Sequence, residues 1–287
     1  MYILQNDFIT IKVDSKGAEL KSLFDKRTKF EWIWQSDSRF WAKSSPVLFP
    51  IVGSLKDNKF YYDGRLFELP RHGFARDLEF ELVHSCDEKL IFELNSTPET
   101  NVNYPFEFSL RIIYELIEQS LYVCYLVRNI GKDDLYFSLG AHPAFNFPKD
   151  ILSIDEMYLY FPLDSKLKRY YLHNNLLSTT ADSIELRSNE LFLNQQTFIK
   201  DAWILKDLFS KEVYLKNKVN DLGIKLSFEK FPYLGLWSVP GSSFICLEPW
   251  AGLPDTEDVD HLLENKEGII LLNKGEMWTG KWSVFLS

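Results

Sequence analysis

The residues best suited to proton transfer lie in three short segments of the sequence. The first, Pro70–Asp77 (PRHGFARD), places Arg71, His72 and Arg76 around a glycine directly after a predicted strand. Loops concentrate polar residues, so a solvated turn would have a similar composition. The segment is therefore either an ordinary turn or part of a site.

The other two segments each contain one group that can act as an acid or a base. In Gly140–Asn146 (GAHPAFN), His142 lies between small residues and a proline at a predicted strand end, which leaves room for a ligand. In Phe244–Gly252 (FICLEPWAG), Glu248 closes an apolar run. Partial desolvation there would raise the pKa of Glu248 towards the range of a general base. A structural histidine and an exposed strand-end glutamate are the alternatives.

Together, His72, His142 and Glu248 would provide a general acid, a general base and an orienting donor if they met in one pocket. Two histidines and a carboxylate also suit a metal ion. None of these three residues belongs to an HxH or HxxxE arrangement, and they are far apart in sequence, so no metal is predicted. The sequence also lacks a GxSxG elbow, a phosphate-binding P-loop and a dinucleotide glycine fingerprint. Their absence argues against serine hydrolases, NTPases and Rossmann enzymes.

Composition narrows the class of partner. The 287 residues carry a formal net charge of −9, which argues against nucleic acid and against an anionic membrane surface. A small neutral molecule fits better, although a local arginine cluster can bind a phosphate in an acidic protein. Three dispersed cysteines, without a signal sequence or a long apolar stretch, predict a cytoplasmic protein with no membrane span.

The elements that must position these residues are predicted to be strands. Runs of β-branched and aromatic residues alternate with polar ones throughout, and aromatic residues make up 16% of the chain. Helix is nearly absent from the pattern. We predict one domain over residues 1–287, an all-β, large antiparallel β-sandwich.

Turn signals predict three hairpins. One turns at Asp63-Gly64, a second at 129–132 joins strands near 120–128 and 135–140, and a third turns at Lys274-Gly275. Residues 161–182 are predicted to be a polar connection. Residues 252–266 are predicted to be a rim loop or a single helical turn.

Four motifs in this order, LFPIVG (48–53), RHGFAR (71–76), GAHPAFN (140–146) and CLEPWAG (246–252), resemble the aldose 1-epimerase, or galactose mutarotase-like, superfamily. The likeness extends over nearly the whole chain, and the LacX-like branch has the most similar pattern. The resemblance implies a β-sandwich that interconverts the α and β anomers of a hexose, without a cofactor. The expected partner is therefore a small-molecule sugar.

The resemblance also implies a role for each matching residue. His142 would be the general acid at the ring oxygen, Glu248 the general base at the C1 hydroxyl, and His72 a second histidine at the ring oxygen. Asp201, in a weaker match, would bind sugar hydroxyls. Relatives commonly have an arginine where this chain has Ser54.

Nearby arginines are expected to make up for Ser54. Arg71 and Arg76 are therefore candidate substrate-binding residues, and with Arg39 they are candidates to hold a sugar phosphate, for which guanidinium geometry is suited.

Three other functions remain open from sequence. The sandwich could be a sugar-binding module without turnover. It could be a glycosidase that pairs Glu248 with Asp201 or Asp255, or a metal-dependent cupin-like enzyme. The tryptophans that could form a sugar-stacking wall are Trp34, Trp41, Trp237 and Trp250.

Overall fold

The structure is a computed structural model that describes residues 1–148, 150–151, 153–220 and 222–287. Strands dominate the fold. Their bounds, in chain order, are β1 (Tyr2–Gln5), β2 (Ile9–Val13), β3 (Leu20–Asp25), β4 (Phe30–Glu31), β5 (Val47–Leu48), β6 (Lys59–Tyr62), β7 (Arg65–Glu68), β8 (Glu81–Cys86), β9 (Lys89–Asn95), β10 (Phe108–Ile117), β11 (Ser120–Asn129), β12 (Leu135–Phe137), β13 (Leu139–Ala141), β14 (Ala144–Asn146), β15 (Met157–Tyr160), β16 (Lys166–His173), β17 (Leu176–Glu185), β18 (Glu190–Phe192), β19 (Trp203–Leu205), β20 (Glu212–Asn217), β21 (Ile224–Ser227), β22 (Tyr233–Trp237), β23 (Phe244–Ala251), β24 (Ile270–Leu272) and β25 (Met277–Leu286).

Helical structure is confined to short pieces. Within the described residues, the one α-helix is α1 (Pro98–Asn103), which begins with a capping box between Thr97 and Thr100. Four 3₁₀ turns are found at Lys56–Asn58, Ala75–Asp77, Ile154–Glu156 and Leu263–Asn265. No helix in the described part of the chain is both long and apolar enough to cross a membrane.

Two large antiparallel sheets form the sandwich. One has nine strands in the order β18-β15-β20-β21-β25-β11-β10-β9-β8. The other has eight, in the order β17-β16-β19-β22-β23-β13-β5, with β14 also paired to β23. A four-stranded sheet (β1 to β4) and the pairs β6-β7 and β12-β24 complete the fold. The predicted all-β, antiparallel sandwich is confirmed.

Strand β23 shows how a strand of the sandwich directs a site residue away from the core. Successive strand side chains point to opposite faces. Ile245 and Leu247 belong to the core cluster that also contains Leu110 and Val123 of the nine-stranded sheet. The alternate residues, including Glu248, therefore face away from this core. Every residue of β23 is nonetheless buried, so the second face of the strand is also covered.

The first predicted hairpin is confirmed. Strands β6 and β7 pair from Lys59↔Glu68 to Tyr62↔Arg65 around Asp63 and Gly64. Both turn residues have positive φ (47° and 68°), the conformation that an Asp-Gly dipeptide tolerates in a tight turn.

The other two predicted hairpins are wrong. Strand β12 does not fold back on β11, because Leu135 pairs with Leu272 of β24. Strand β25, which follows the turn at Gly275, pairs with β11 and β21 rather than with β24. Turn residues mark where the chain changes direction, but core packing selects the partner strand.

The polar connection predicted for 161–182 is also wrong, whereas the prediction for 252–266 is confirmed. Strands β16 and β17 pair over much of 166–185, at the edge of the eight-stranded sheet. Many of their side chains are exposed on both faces, so the apolar alternation that marks a half-buried strand is missing. Residues 252–266 contain no strand and form one 3₁₀ turn at Leu263–Asn265.

Candidate active site

The six predicted site residues line a single cavity of about 240 Å³ on the outer face of the eight-stranded sheet. Motifs from distant parts of the sequence meet here because β13, β22 and β23 are neighbours in this sheet. The residues that line the cavity are Trp41, Arg71, His72, Arg76, His142, Asp201, Ala202, Trp237, Glu248 and Trp250.

Two glycines on neighbouring strands make room for Glu248 and Trp250. Gly235 of β22 lies directly opposite Glu248 of β23. A Cβ at position 235 would lie 3.2 Å from the Glu248 Cβ and 3.0 Å from Cζ2 of Trp250. A Cβ at Gly140 of β13 would lie 2.8 Å from Cδ1 of Trp250. The tryptophan ring therefore depends on both glycines for its position in the cavity wall.

His142 follows the end of β13 and faces Glu248. Its Nε2 lies 3.2 Å from Oε2 of Glu248, and both side chains are buried. The indole of Trp41 stacks on the imidazole, with ring centroids 4.8 Å apart and planes inclined by 27°. Trp237 contacts the same ring edge-on at 5.8 Å. The imidazole is thus held between two indoles with its Nε2 directed at the carboxylate.

Burial disfavours charge on both members of this pair. It raises the pKa of Glu248 well above that of an ordinary carboxyl, and the nearby Arg71 guanidinium opposes that rise. Burial and the Arg71 charge lower the pKa of His142 to about 3. Burial therefore favours the neutral form of both groups, the imidazole of His142 and the carboxylic acid of Glu248.

His72 lies in a turn whose backbone fixes its tautomer. The residue has φ of 68°, and its backbone N–H donates to the Gly53 carbonyl oxygen at 2.8 Å. The Gly53 N–H donates in return to Nδ1 of His72 at 3.0 Å. Burial, followed by the neighbouring His142, Arg71 and Arg76, lowers the pKa of His72. A neutral imidazole that accepts at Nδ1 carries its proton on Nε2, so His72 is a hydrogen-bond donor on its cavity side.

Arg71, Arg76 and Asp201 bring charge to the cavity. The Arg76 Nη2 donates to the Arg71 carbonyl oxygen at 2.9 Å, while the Arg71 Nη1 donates to Oδ1 of Asn175 at 2.8 Å. Asp201 precedes β19 with φ of 75°, and its Oδ1 accepts from the Ala202 N–H at 2.8 Å. One carboxylate and two guanidinium groups thus lie beside the His142–Glu248 pair, suited to hydroxyl or anionic groups of a ligand.

Several residues considered from sequence lie elsewhere. Ser54 is buried and does not line the cavity, whereas Arg71 does. Arg39 is exposed, is paired with Asp37 and does not line the cavity. Asp255 forms a buried ion pair with Lys266. It is therefore not available as the second carboxylate that a glycosidase would pair with Glu248. Trp34 contacts the lining residue Trp41 and donates its Nε1 proton to the Trp41 carbonyl oxygen.

One group of side chains in the described residues has a metal-compatible donor set. Ligand atoms of His142, Cys246 and Glu248 lie within 4.8 Å of one another. Burial raises the pKa of the Cys246 thiol well above its ordinary value, and a metal would require its thiolate. The facing imidazole and carboxylate are sufficient for proton transfer without an ion.

Sequence reasoning did not identify two features of the site. Asn175, in the turn of the β16–β17 hairpin, reaches Arg71, and Gly235 makes space for Glu248. Asparagine is favoured in turns because it tolerates positive φ, so the Asn174-Asn175 pair could have indicated the turn. Nothing local to Gly235 indicates that it lies opposite the candidate base.

The fold and the cavity together define a galactose mutarotase-like β-sandwich, and comparisons with known proteins give the family. The chain belongs to the aldose 1-epimerase family, whose model matches residues 1–284. It is 32% identical over 277 residues to the chromosomal protein LacX of Lactococcus lactis subsp. lactis, covering 92% of this chain and 91% of that protein.

Solved structures agree with this assignment. A galactose mutarotase related enzyme from Lactobacillus acidophilus superposes with a TM-score of 0.94 at 30% identity, covering 100% of this chain and 97% of the other. A galactose mutarotase-like protein from Lactobacillus casei ATCC 334 gives 0.91 at 30% identity, with both chains covered completely. The predicted membership is therefore confirmed, and a carbohydrate epimerase-type function is supported.

Proposed function

We propose that this protein is an aldose 1-epimerase that interconverts the α and β anomers of a hexose or hexose phosphate by general acid/base catalysis. The observation that carries the proposal is the approach of His142 Nε2 to within 3.2 Å of Glu248 Oε2 in a cavity walled by tryptophans. A carboxylate and an imidazole at this separation can together deliver one proton and remove another from a small substrate.

Anomer exchange needs two proton movements. His142, as imidazolium, protonates the ring oxygen while the Glu248 carboxylate takes the proton of the C1 hydroxyl, so the hemiacetal opens to the aldehyde. Rotation about the C1–C2 bond turns the other face of the carbonyl towards the hydroxyl. Closure returns a proton from Glu248 to the C1 oxygen and one from the hydroxyl to His142, so the pair ends as it began.

The protonation of the two groups decides how this cycle starts. The state with imidazolium and carboxylate starts ring opening, and the state with imidazole and carboxylic acid follows it. Burial favours the second state, so the charged state that starts ring opening is the less populated one before the sugar binds. Positioned acid/base groups accelerate such steps on the order of 10²–10⁴-fold.

The remaining residues bind the sugar. His72, which carries its proton on Nε2, donates to the ring oxygen and stabilises the charge that develops there. Asp201 accepts hydrogen bonds from sugar hydroxyls, and Trp41, Trp237 and Trp250 provide apolar faces for the sugar ring. Arg71 and Arg76 supply the positive charge that a phosphorylated hexose would need, and Arg39 does not line the cavity.

The test is NMR magnetisation exchange between the α and β anomeric protons of glucose, galactose and their 6-phosphates. The wild-type protein should accelerate exchange for at least one sugar. The Glu248→Gln variant should bind that sugar with unchanged affinity but leave its exchange at the buffer rate. A preference for a 6-phosphate that is lost in Arg76→Ala would assign the arginines to phosphate recognition.

Other outcomes would overturn the proposal. Calorimetric binding of a sugar without accelerated exchange would indicate a sugar-sensing module on the same fold. Release of reducing sugar from a glycoside would indicate a glycosidase that uses Glu248 and Asp201. Full exchange activity in Glu248→Gln would remove the assigned base even if the enzyme class were right.

A further inference from the structure

The hairpin formed by β16 and β17 places its turn against the cavity. His173 and Leu176 pair at the end of the hairpin, so Asn174 and Asn175 are the two turn residues. Both have positive φ (50° and 66°), which asparagine tolerates better than most residues. This backbone requirement alone could explain an asparagine at each position. It does not explain the contact of the Asn175 side chain with a residue 104 positions away in sequence.

The turn end of the hairpin is fixed relative to the site. The Leu177 N–H donates to the Asp255 carbonyl oxygen at 2.7 Å. The Leu177 side chain is buried in the same apolar cluster as Ala202 and Trp250, two residues that line the cavity. The turn is therefore held at a defined distance from the cavity, which allows a side chain on it to position a site residue.

Asn175 is the acceptor that holds the Arg71 guanidinium. Arg71 Nη1 donates to Asn175 Oδ1 at 2.8 Å, and Arg71 Nε lies 3.2 Å from His72 Nε2. Because His72 already accepts from Gly53 at Nδ1, its neutral ring carries a proton on Nε2. The Arg71 Nε–H then meets another donor rather than an acceptor. Arg71 Nε lies within hydrogen-bonding distance of His72 Nε2, but the Asn175 oxygen, 2.8 Å from Nη1, is the shorter contact and does not compete with a ring proton.

We propose that Asn175 is a positioning residue for the candidate active site: its amide oxygen holds the Arg71 guanidinium beside His142 and Glu248. Arg71 makes no ion pair with Glu248 in the described part of the chain, so its influence depends on where the guanidinium is held. Asn175 acts through Arg71 and does not itself line the cavity.

The position of Arg71 has an electrostatic consequence. The Arg71 charge opposes the burial that raises the pKa of Glu248. Releasing the guanidinium into solvent would remove this opposition and raise the pKa of Glu248 further. The other titratable or charged groups near Glu248 are His72, His142, Arg76, Asp201 and, on the same face of β23, Cys246.

The test compares two turn variants. Asn175→Gly keeps the turn, because glycine adopts positive φ without strain, and removes the acceptor. Asn174→Gly makes the same backbone change at the neighbouring position and is the matched control. The kinetic comparison rests on the proposed function. In Asn175→Gly, kcat/KM for the best sugar should fall about three- to tenfold, as expected for loss of one solvent-exposed hydrogen bond. Its acid limb should move to higher pH, whereas Asn174→Gly should match wild type.

A double-mutant cycle isolates the route of the effect. If Asn175 acts through Arg71, Asn175→Gly should have no further effect in an Arg71→Ala background. An equal loss in both backgrounds would show that the hairpin contributes in another way, and equal activity of the two turn variants would overturn the proposal.

A measurement without turnover separates this inference from the proposed function. Infrared difference spectra can follow the Glu248 carboxyl through a pH titration, with Glu248→Gln identifying its band. The pKa of Glu248 should be higher in Asn175→Gly than in wild type and Asn174→Gly. An unchanged pKa would contradict the inference even in an active enzyme. A raised pKa in a protein that exchanges no sugar would support Asn175 as a positioning residue while refuting the epimerase proposal.

Discussion

Gly235 lies directly opposite Glu248 in the antiparallel register of β22 and β23, and the absence of a side chain at Gly235 leaves space for both Glu248 and Trp250. Gly235→Val should therefore displace the candidate base and the tryptophan wall. Overpacking of this kind typically costs about 1–3 kcal/mol in the free energy of unfolding. We expect a lower Tm and loss of anomer exchange, measured by calorimetry and by NMR.

A second glycine variant, far from the cavity, separates these two effects. Gly275 has φ of 77°, and a Cβ added there would meet no atom of the described residues within 4 Å. Gly275→Ala therefore strains the backbone without a steric clash. It should lower Tm and leave kcat unchanged. If Gly235→Val kept full activity, the close contact between β22 and β23 would not matter to the site.

Glu248 should make the stability of the protein depend on pH in an unusual direction. Burial raises its pKa in the folded state above the ordinary carboxyl value of 4.5. At pH values between the unfolded-state and the folded-state pKa, Glu248 is deprotonated in the unfolded protein and protonated in the folded protein. The free energy of unfolding therefore falls as pH rises through this range. The neutral Glu248→Gln variant avoids that cost. Its Tm should exceed that of wild type by a margin that is small near pH 4.5 and grows towards neutral pH, and a constant margin would argue against a raised pKa.

His142 should make the stability of the protein depend on pH in the acidic range. Its pKa is lowered by burial from 6.5 to about 3, so the stability that it contributes as a neutral group is complete above pH 6.5 and is lost as pH falls towards 3. His142→Gln should therefore lose less stability than wild type over that range. Chemical denaturation at several pH values would measure the difference, and parallel losses in the two proteins would contradict it.

The buried ion pair between Asp255 and Lys266 should stabilise the segment that follows β23. Removing one partner of a buried pair typically costs about 3–5 kcal/mol, because the other charge remains unpaired. Lys266→Met should lower the free energy of unfolding by about that amount, and the double variant Asp255→Asn/Lys266→Met should recover part of it. Asp255→Asn should retain exchange activity at temperatures where it is folded. A complete loss there would instead assign Asp255 a role in the chemistry.

Catalysis should withstand removal of metal ions. Anomer exchange needs only proton transfer, which we propose for the facing His142 and Glu248. Dialysis against a chelator should leave kcat unchanged. A loss of activity that zinc restores would instead indicate that the His142, Cys246 and Glu248 donor set holds a catalytic ion, and Cys246→Ser should then be inactive.

Sequence motifs located the candidate site better than they located strand partners. His72, His142, Glu248, Arg71 and Arg76 stand in short segments whose unusual composition is visible without coordinates. The pairing of β12 with β24 is not, since it joins Leu135 to Leu272 and nothing in either segment specifies the other. A turn signal reports a local backbone preference, whereas the choice of partner strand depends on burial across the whole sandwich.

The same contrast explains what was missed near the site. The exposed, polar strands β16 and β17 lack apolar alternation, so their hairpin, and with it the contact of Asn175 with Arg71, could not be predicted from periodicity. Gly235 resembles any other glycine until the register places it beside Glu248. A residue such as Asn175, which acts through a contact with a distant residue, gives no signal in the sequence around it. The same holds for Gly235, which acts by having no side chain.

The candidate site depends both on buried central strands and on an exposed edge hairpin, and this difference in burial matters for engineering. Glu248 lies in a strand buried on both faces, so its position is set by the same packing that keeps the protein folded. The turn at Asn174 and Asn175 is exposed and tolerates substitutions that preserve its backbone angles. Libraries aimed at the position of Arg71 should therefore vary the hairpin tip and leave β22 and β23 untouched, so that the site changes without repeated loss of folded protein.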